Sequence, residues 1–269
     1  MRRLVEHTLI GAYVPTESWV HRLDPRVKLL GALTVLAGLF YGANSAAIII
    51  TGLTILGAAW MSRVGWKLWV AGLLRFKWML ALVALLNVVF ISEGTAIAVG
   101  KWALPITHEA LGSSALLTAQ LAEAIALAML LTFTTTPTAI TRGVERLGRP
   151  LKSLAVPVEE MALVIQLAMR FAPIIEWELK GAIEAQRSRG VEFEQGNAVS
   201  RVSLFVSVLT PALFGALRRA DLLSSAMRAR GFEPGRPRTE FRPLRLAAGD
   251  YLAVCGLAIL FVLQVLALT

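Results

Sequence analysis

Val202-Ser203-Leu204-Phe205-Val206-Ser207-Val208-Leu209-Thr210-Pro211-Ala212-Leu213-Phe214-Gly215-Ala216-Leu217 is apolar enough to pass for a membrane span, and its reading decides how the rest of the chain is laid out. Ahead of it stands Ala185-Gln186-Arg187-Ser188-Arg189-Gly190, and after it Ala226-Met227-Arg228-Ala229-Arg230-Gly231. The same A-x-R-[small]-R-G pattern therefore closes a helix-like run twice. If 202–217 crossed a bilayer, the two tips would face opposite sides, and one arginine cluster would be translocated against the rule that Lys and Arg stay in the cytoplasm. The segment is accordingly read as part of a helix that stays inside, running through Pro211 to Arg230. Leu213, Leu217, Ala220, Leu223 and Met227 form its apolar stripe.

The two tips have a plain explanation and a sharper one. Glycine ends helices, and cations complement the carbonyl end of the dipole, so Gly190 and Gly231 with their arginines can be simple C-caps. Capping, however, asks only for a glycine and some nearby cation. Here the alanine four residues before the last arginine repeats as well, Ala185 before Arg189 and Ala226 before Arg230, on the same helical face. A small residue beneath a long planar cation lets a helix tip enter a groove in another protein, and two equivalent tips suggest two equivalent docking sites. Ser188, Arg189, Gly190, Ala229, Arg230 and Gly231 are the candidate docking residues, supported by Ala185, Ala226, Arg187 and Arg228.

Composition places the chain in a membrane. Of 269 residues, 56% are hydrophobic and only 17% charged, with a mean hydropathy of +0.65, a profile foreign to soluble domains. The formal net charge of +9 comes from basic residues that flank apolar runs, which is how charge orients a protein in a bilayer rather than how it binds nucleic acid. The one cysteine, Cys255, lies in the last apolar run and precludes an intramolecular disulfide. His7, His21 and His108 show no metal-ligand spacing. Met1-Arg2-Arg3 is followed by Glu6, His7 and Thr8, so a cleaved signal peptide is not expected.

Four spans are expected in residues 1–136, at about 25–42, 46–61, 68–91 and 114–133. Asp24-Pro25 opens the first as N-cap and first helical position. Gly38 and Gly42 could admit a close neighbour. The start of the third run is ambiguous: Trp66, Trp69, Phe76 and Trp78, mixed with Lys67, Arg75 and Lys77, resemble an interfacial helix whose rings sit at headgroup level. Residues 92–113 hold Lys101 as their one Lys or Arg and are expected as an outside loop. Glu123 lies inside the fourth span, where an ionisable group is costly, and Arg75 or Lys77 is its candidate intramembrane partner, Arg75 ahead. A proton relay would need several such carboxylates, and this span offers one.

Residues 137–246 differ, alternating charged and apolar positions, with 17 Lys and Arg between 142 and 245. The positive-inside rule assigns them, with the N-terminus, to the cytoplasm. Short helices are expected over 137–154, broken by Gly148 and Pro150. A long amphipathic helix is expected from Glu159 to Arg189, kinked at Pro173. Asp221 among Arg218, Arg219 and Arg228 reads as pairing along one helix. Residues 247–269 form a fifth span. The expected fold is an all-α polytopic membrane protein of about five transmembrane helices with a cytoplasmic layer of coupling helices.

This layout resembles the transmembrane T component, the EcfT/CbiQ-like family, of energy-coupling factor ABC transporters. Ser188-Arg189-Gly190 and Ala229-Arg230-Gly231 match the family's two X-Arg-Gly motifs, the first with Ser where Ala is common. The likeness extends to the stretch from His21 through Arg22-Leu23-Asp24-Pro25-Arg26-Val27-Lys28 to Leu29, to Pro150-Leu151, to Val156-Pro157-Val158-Glu159 and to Arg170-Phe171-Ala172-Pro173. Gly11-Ala12-Tyr13-Val14-Pro15 resembles the version shared by several vitamin-binding S components rather than the cobalt- or nickel-dedicated one. The resemblance implies a non-catalytic subunit of the cell (inner) membrane, with no cofactor of its own. In that family, X-Arg-Gly helices dock on two related ABC ATPases, which hold ATP and Mg, while the membrane helices hold a small S component.

Two other classes compete. A classical ABC permease would show E-A-A-x-x-x-G followed by I-x-L-P. Glu184-Ala185-Gln186 with Gly190 fits the first half, but Thr210-Pro211 lies too far on, and a tip repeated within one chain is not part of that pattern. An intramembrane enzyme would need a nucleophile, a metal-binding set or a phosphate loop, and the sequence contains no G-x-S-x-G, H-E-x-x-H or Gly-rich phosphate loop.

Overall fold

The computed structural model describes residues 13–41, 45–90, 96–99, 102–154, 156–191, 197–236 and 246–266. Gly42, the N-terminal arginines and residues 192–196 and 237–245 lie outside the described residues. The chain divides into two compact units, one of residues 1–147 with 242–269 and the other of residues 148–241.

In the first unit a short helix α1 (Trp19–Arg22) leads to α2 (Pro25–Tyr41), α3 (Ser45–Met61), α4 (Trp66–Arg75) and α5 (Lys77–Phe90). A two-stranded antiparallel hairpin follows, β1 (Ala96–Val99) and β2 (Trp102–Thr107). Then come α6 (His108–Thr134), α7 (Pro137–Gly148) and, after the second unit, α10 (Ala248–Leu266). The start of α2 obeys its sequence: Asp24 caps it, with Oδ1 accepting from the Arg26 N–H at 2.9 Å, and Pro25 fills the first position, where no N–H is needed.

Helix α6 is the centre of this unit, packed by α2, α3, α4 and α5. Val35, Ile55, Leu127 and Leu260 bring α2, α3, α6 and α10 into one buried cluster. A second gathers Ala59, Val64, Trp69, Met129 and Phe133, with the Trp69 and Phe133 rings edge-to-face at 5.6 Å. Polar side chains tie the helices where lipid offers no hydrogen bonds. Gln264 Nε2 donates to Thr51 Oγ1 at 2.8 Å, Gln120 Nε2 to the Leu39 carbonyl at 2.9 Å, and Ser114 Oγ to the Ala84 carbonyl at 2.9 Å. A Cβ at Gly38 would collide with the Gln264 amide, so that glycine admits α10 as its close neighbour.

Two expectations are refined here. The run expected as one span from 68 to 91 is broken at Phe76 (φ −94°, ψ 5°) into α4 and α5, which meet at a 50° bend. Arg75 and Lys77 flank the break, and α4 turns Trp69 into the core while Trp66, Lys67, Leu68 and Val70 stay exposed. The break thus lies between Arg75 and Lys77, and the more apolar of the two helices begins at Lys77. The loop expected at 92–113 contains the hairpin, with Val99 opposite Trp102 and Ala98 opposite Ala103. The fold class remains all-α, this hairpin being a small addition.

The second unit opens on a 3₁₀ turn (Arg149–Leu154), continues as α8 (Val158–Ser188) and ends with α9 (Ala198–Ala229). Gly148 and Pro150 separate the turn from α7, as their chemistry requires. Pro173 and Pro211 lie within α8 and α9. The two helices pack on each other, joined by an ion pair between Arg219 and Glu178. The expected pairing of Asp221 with its helical neighbours is replaced for Arg219 by this bond across helices.

Among the described residues, two helical segments are long and apolar enough to cross a membrane, 111–134 in α6 and 202–229 in α9, and the bent α4–α5 pair makes a third if it is one span. Helices α3 and α10 contribute shorter apolar stretches, 45–61 and 248–264.

Candidate functional site

The two repeated tips have one geometry. Helix α8 ends on Arg189 (φ −86°, ψ 6°) and α9 on Arg230 (φ −90°, ψ 10°), each followed by a glycine at positive φ, 84° at Gly190 and 74° at Gly231. The Gly190 N–H donates to the Arg187 carbonyl at 2.9 Å and the Val191 N–H to the Gln186 carbonyl at 3.1 Å. At the second tip, Gly231 donates to Arg228 at 2.9 Å and Phe232 to Met227 at 3.0 Å. This pair of bonds, six-to-one and five-to-two, is the Schellman closure, and it requires a residue that tolerates the left-handed region. Capping thus accounts for both glycines.

It does not account for the arginines. Arg189, Arg228 and Arg230 are exposed and have no ion pair among the described residues. Ala185 and Ala226 are exposed behind them, as are Ser188 and Ala229. Ser188 Oγ turns back to the Glu184 carbonyl at 3.0 Å, and Arg189 stands exposed beyond it. A guanidinium held at a rigid, uncluttered helix end suits bidentate pairing with a carboxylate on another protein.

The intramembrane pair is not assembled. Glu123 on α6 reaches towards α3: a Cβ at Gly52 would lie 2.7 Å from its Oε1. Its Oε2 is buried without a hydrogen-bond partner among the described residues. Arg75, in the last turn of α4, is exposed, and no ion pair joins the two among the described residues.

Sequence reasoning missed a polar junction at the start of α2. Asp250, 3% exposed in the first turn of α10, accepts the Asp24 N–H on Oδ1 at 2.7 Å and the Ala247 N–H on Oδ2 at 2.7 Å. Lys28 Nζ donates to the carbonyls of His21, at 3.2 Å, and Thr134, at 2.9 Å. The α1–α2 turn, the end of α6 and the start of α10 are thereby fastened together. His21 completes the junction, bonded to Ser18 Oγ at 2.7 Å and to the Val14 carbonyl at 3.1 Å. Burial holds this imidazole below its ordinary pKa, and the Lys28 charge adds to the effect against the opposing pull of the Val14 and Phe133 carbonyls. The signal available was the density of polar residues in 21–28, together with an acidic residue in the first turn of the last span.

Comparison with known proteins places these features in a family. Residues 16–241 match the family model CbiQ, described as cobalt transport protein. The chain is 34% identical over 256 residues to an energy-coupling factor transporter transmembrane protein EcfT of Lacticaseibacillus paracasei, covering 95% of this chain and 97% of the relative. Proteins of the same name from Heliobacterium modesticaldum and Bacillus subtilis are 35% and 34% identical, covering 97% and 96% of this chain and 97% of each relative. The aligned length takes in both arginine tips and the junction around α2, and on that footing the chain belongs to the CbiQ/EcfT family, the transmembrane components of energy-coupling factor transporters.

Proposed function

We propose that the chain is the coupling subunit of an energy-coupling factor transporter. It links ATP hydrolysis by two ABC ATPases to uptake of a vitamin or other micronutrient captured by a separate small membrane S component. In this reading residues 137–246 are cytoplasmic, Arg189 and Arg230 each enter a groove on one ATPase, and ATP and Mg belong to those partners. The chain itself is non-catalytic. The observation that carries the reading is the duplicated tip: two helices end in the same closure, each presenting an exposed arginine that capping does not use. Rigid helices of 31 and 32 residues behind the tips can carry nucleotide-driven movement of the ATPases towards the bilayer.

The test is replacement of the two arginines. Arg189→Ala or Arg230→Ala should weaken ATPase docking by about 2 to 5 kcal/mol, because the partner's desolvated carboxylate is left unpaired. The double variant should lose both ATPases on purification and lose uptake, while expression and S-component binding persist. Normal ATPase retention and uptake in the double variant would return the arginines to the status of helix caps.

A further inference from the structure

The membrane unit contains a second feature, independent of the helix tips. Between α1, α2, α3, α6 and α10 runs an apolar groove of about 440 Å³, a size within the roughly 300–1,000 Å³ range of ligand sites. Aliphatic side chains such as Val27, Leu130 and Leu257 line it. Gly57 on α3 and Gly256 on α10 also line it, and a Cβ at either would meet no atom within 4 Å. Gly31, by contrast, is filled by Leu257, 2.7 Å from where its Cβ would stand. The open space is therefore local to the α3 and α10 walls.

The groove does not end in apolar surface. Trp19 and Met61 belong also to an adjoining pocket of about 620 Å³ whose other walls include Arg22, Arg63, Glu17 and Trp60. Arg63 stands at the tip of the α3–α4 turn, at φ 54°, and has no ion pair among the described residues. Arg22 has one exposed contact, 3.6 Å from Glu17. Across the shared wall the lining changes from mainly aliphatic, with Lys28, Thr54 and Thr134 as its polar members, to Arg22, Arg63, Glu17 and two tryptophans, the sequence of surroundings met by an acyl chain, a glycerol backbone and a phosphate.

We propose that this two-part cleft binds an anionic phospholipid, with one acyl chain along the groove and its phosphate between Arg22 and Arg63, flanked by Trp19 and Trp60. A free phosphate would have no use for the groove.

The test uses the full chain in nanodiscs of phosphatidylcholine and phosphatidylglycerol in equal parts, with retained lipid counted by native mass spectrometry. The wild type should retain phosphatidylglycerol in preference. Arg22→Gln/Arg63→Gln should reduce that preference by about fivefold per arginine, and Arg22→Lys/Arg63→Lys should preserve it. Gly57→Leu/Gly256→Leu, which fills the groove, should lose both lipids, with tryptophan fluorescence and thermal midpoint reporting an intact fold. Should the glycine variant fold poorly, the arginine pair still decides the matter. Equal retention of both lipids by the wild type would overturn the proposal. So would retention unchanged in the arginine variants, displacement by millimolar inorganic phosphate, or lipid retention untouched by groove filling in a folded glycine variant.

Discussion

Asp250 accepts two backbone N–H groups, the buried one of Asp24, 226 positions earlier, and the part-exposed one of Ala247, just ahead of its own helix. A buried donor that loses its acceptor costs about 1–3 kcal/mol. Asp250→Ala orphans the buried donor of Asp24, and it removes a negative charge close to the Lys28 ammonium. Asp250→Asn keeps one acceptor oxygen and the shape. The alanine variant should therefore lose about 2–4 kcal/mol of stability and the asparagine variant about half of that. Thermal unfolding of both proteins in one detergent measures the difference, and an alanine variant within about 0.5 kcal/mol of wild type would show the junction to be incidental. Nothing near Asp250 in sequence announces this role. An acidic residue in a first turn usually needs no more explanation than the helix dipole, and its long-range partner becomes visible only once α2 and α10 lie side by side.

At the scale of elements, the hydropathy pattern located the helices well and their breaks poorly. Asp24-Pro25, Gly148 and Pro150 act through their own backbone chemistry, so the start of α2 and the end of α7 were legible. The break at Phe76 lies between Arg75 and Lys77, and averaging hydropathy over a window hides it. Glu123 and Arg75 form no ion pair among the described residues, Arg75 being exposed in the last turn of α4, next to the break. The tips were the most legible part of the candidate site, because glycine at a Schellman closure and a repeated alanine are both local signals. They also allow the cap and the docking arginine to be separated. Gly190→Ala and Gly231→Ala force a side chain into the left-handed region, at about 1–2 kcal/mol each. That should unwind residues 186–191 and 227–232 and speed their amide exchange. The arginine replacements should leave the same amides protected. Equal exchange in the glycine variants and wild type would mean that the closures do not hold the tips.

At the scale of the whole molecule the question returns to α9. Val208 is buried, whereas Phe205, Val206, Leu209, Leu213, Phe214 and Leu217 are exposed, so the helix needs lipid or a protein partner along most of its length. Its segment from 202 to 229 passes the length and composition test for a span. Charge argues the other way. Crossing at 202–217 would separate Arg187, Arg189 and Arg201 from Arg218, Arg219, Arg228 and Arg230, and put one group outside against the positive-inside rule. It would also destroy the equivalence of two tips built alike, for which docking to paired ATPases supplies a reason and transmembrane placement supplies none. The proposed arrangement therefore has both tips inside, with the exposed face of α9 covered by partner subunits. Single cysteines decide it once Cys255, itself exposed, is replaced by alanine. In intact cells a cysteine at Ser188 or at Ala229 should react with membrane-permeant maleimides alone, and one at Ser113 with impermeant maleimides as well. Labelling from outside at 229 but not at 188 would mean that α9 crosses the bilayer, and the shared docking role of the two arginines would fall with it.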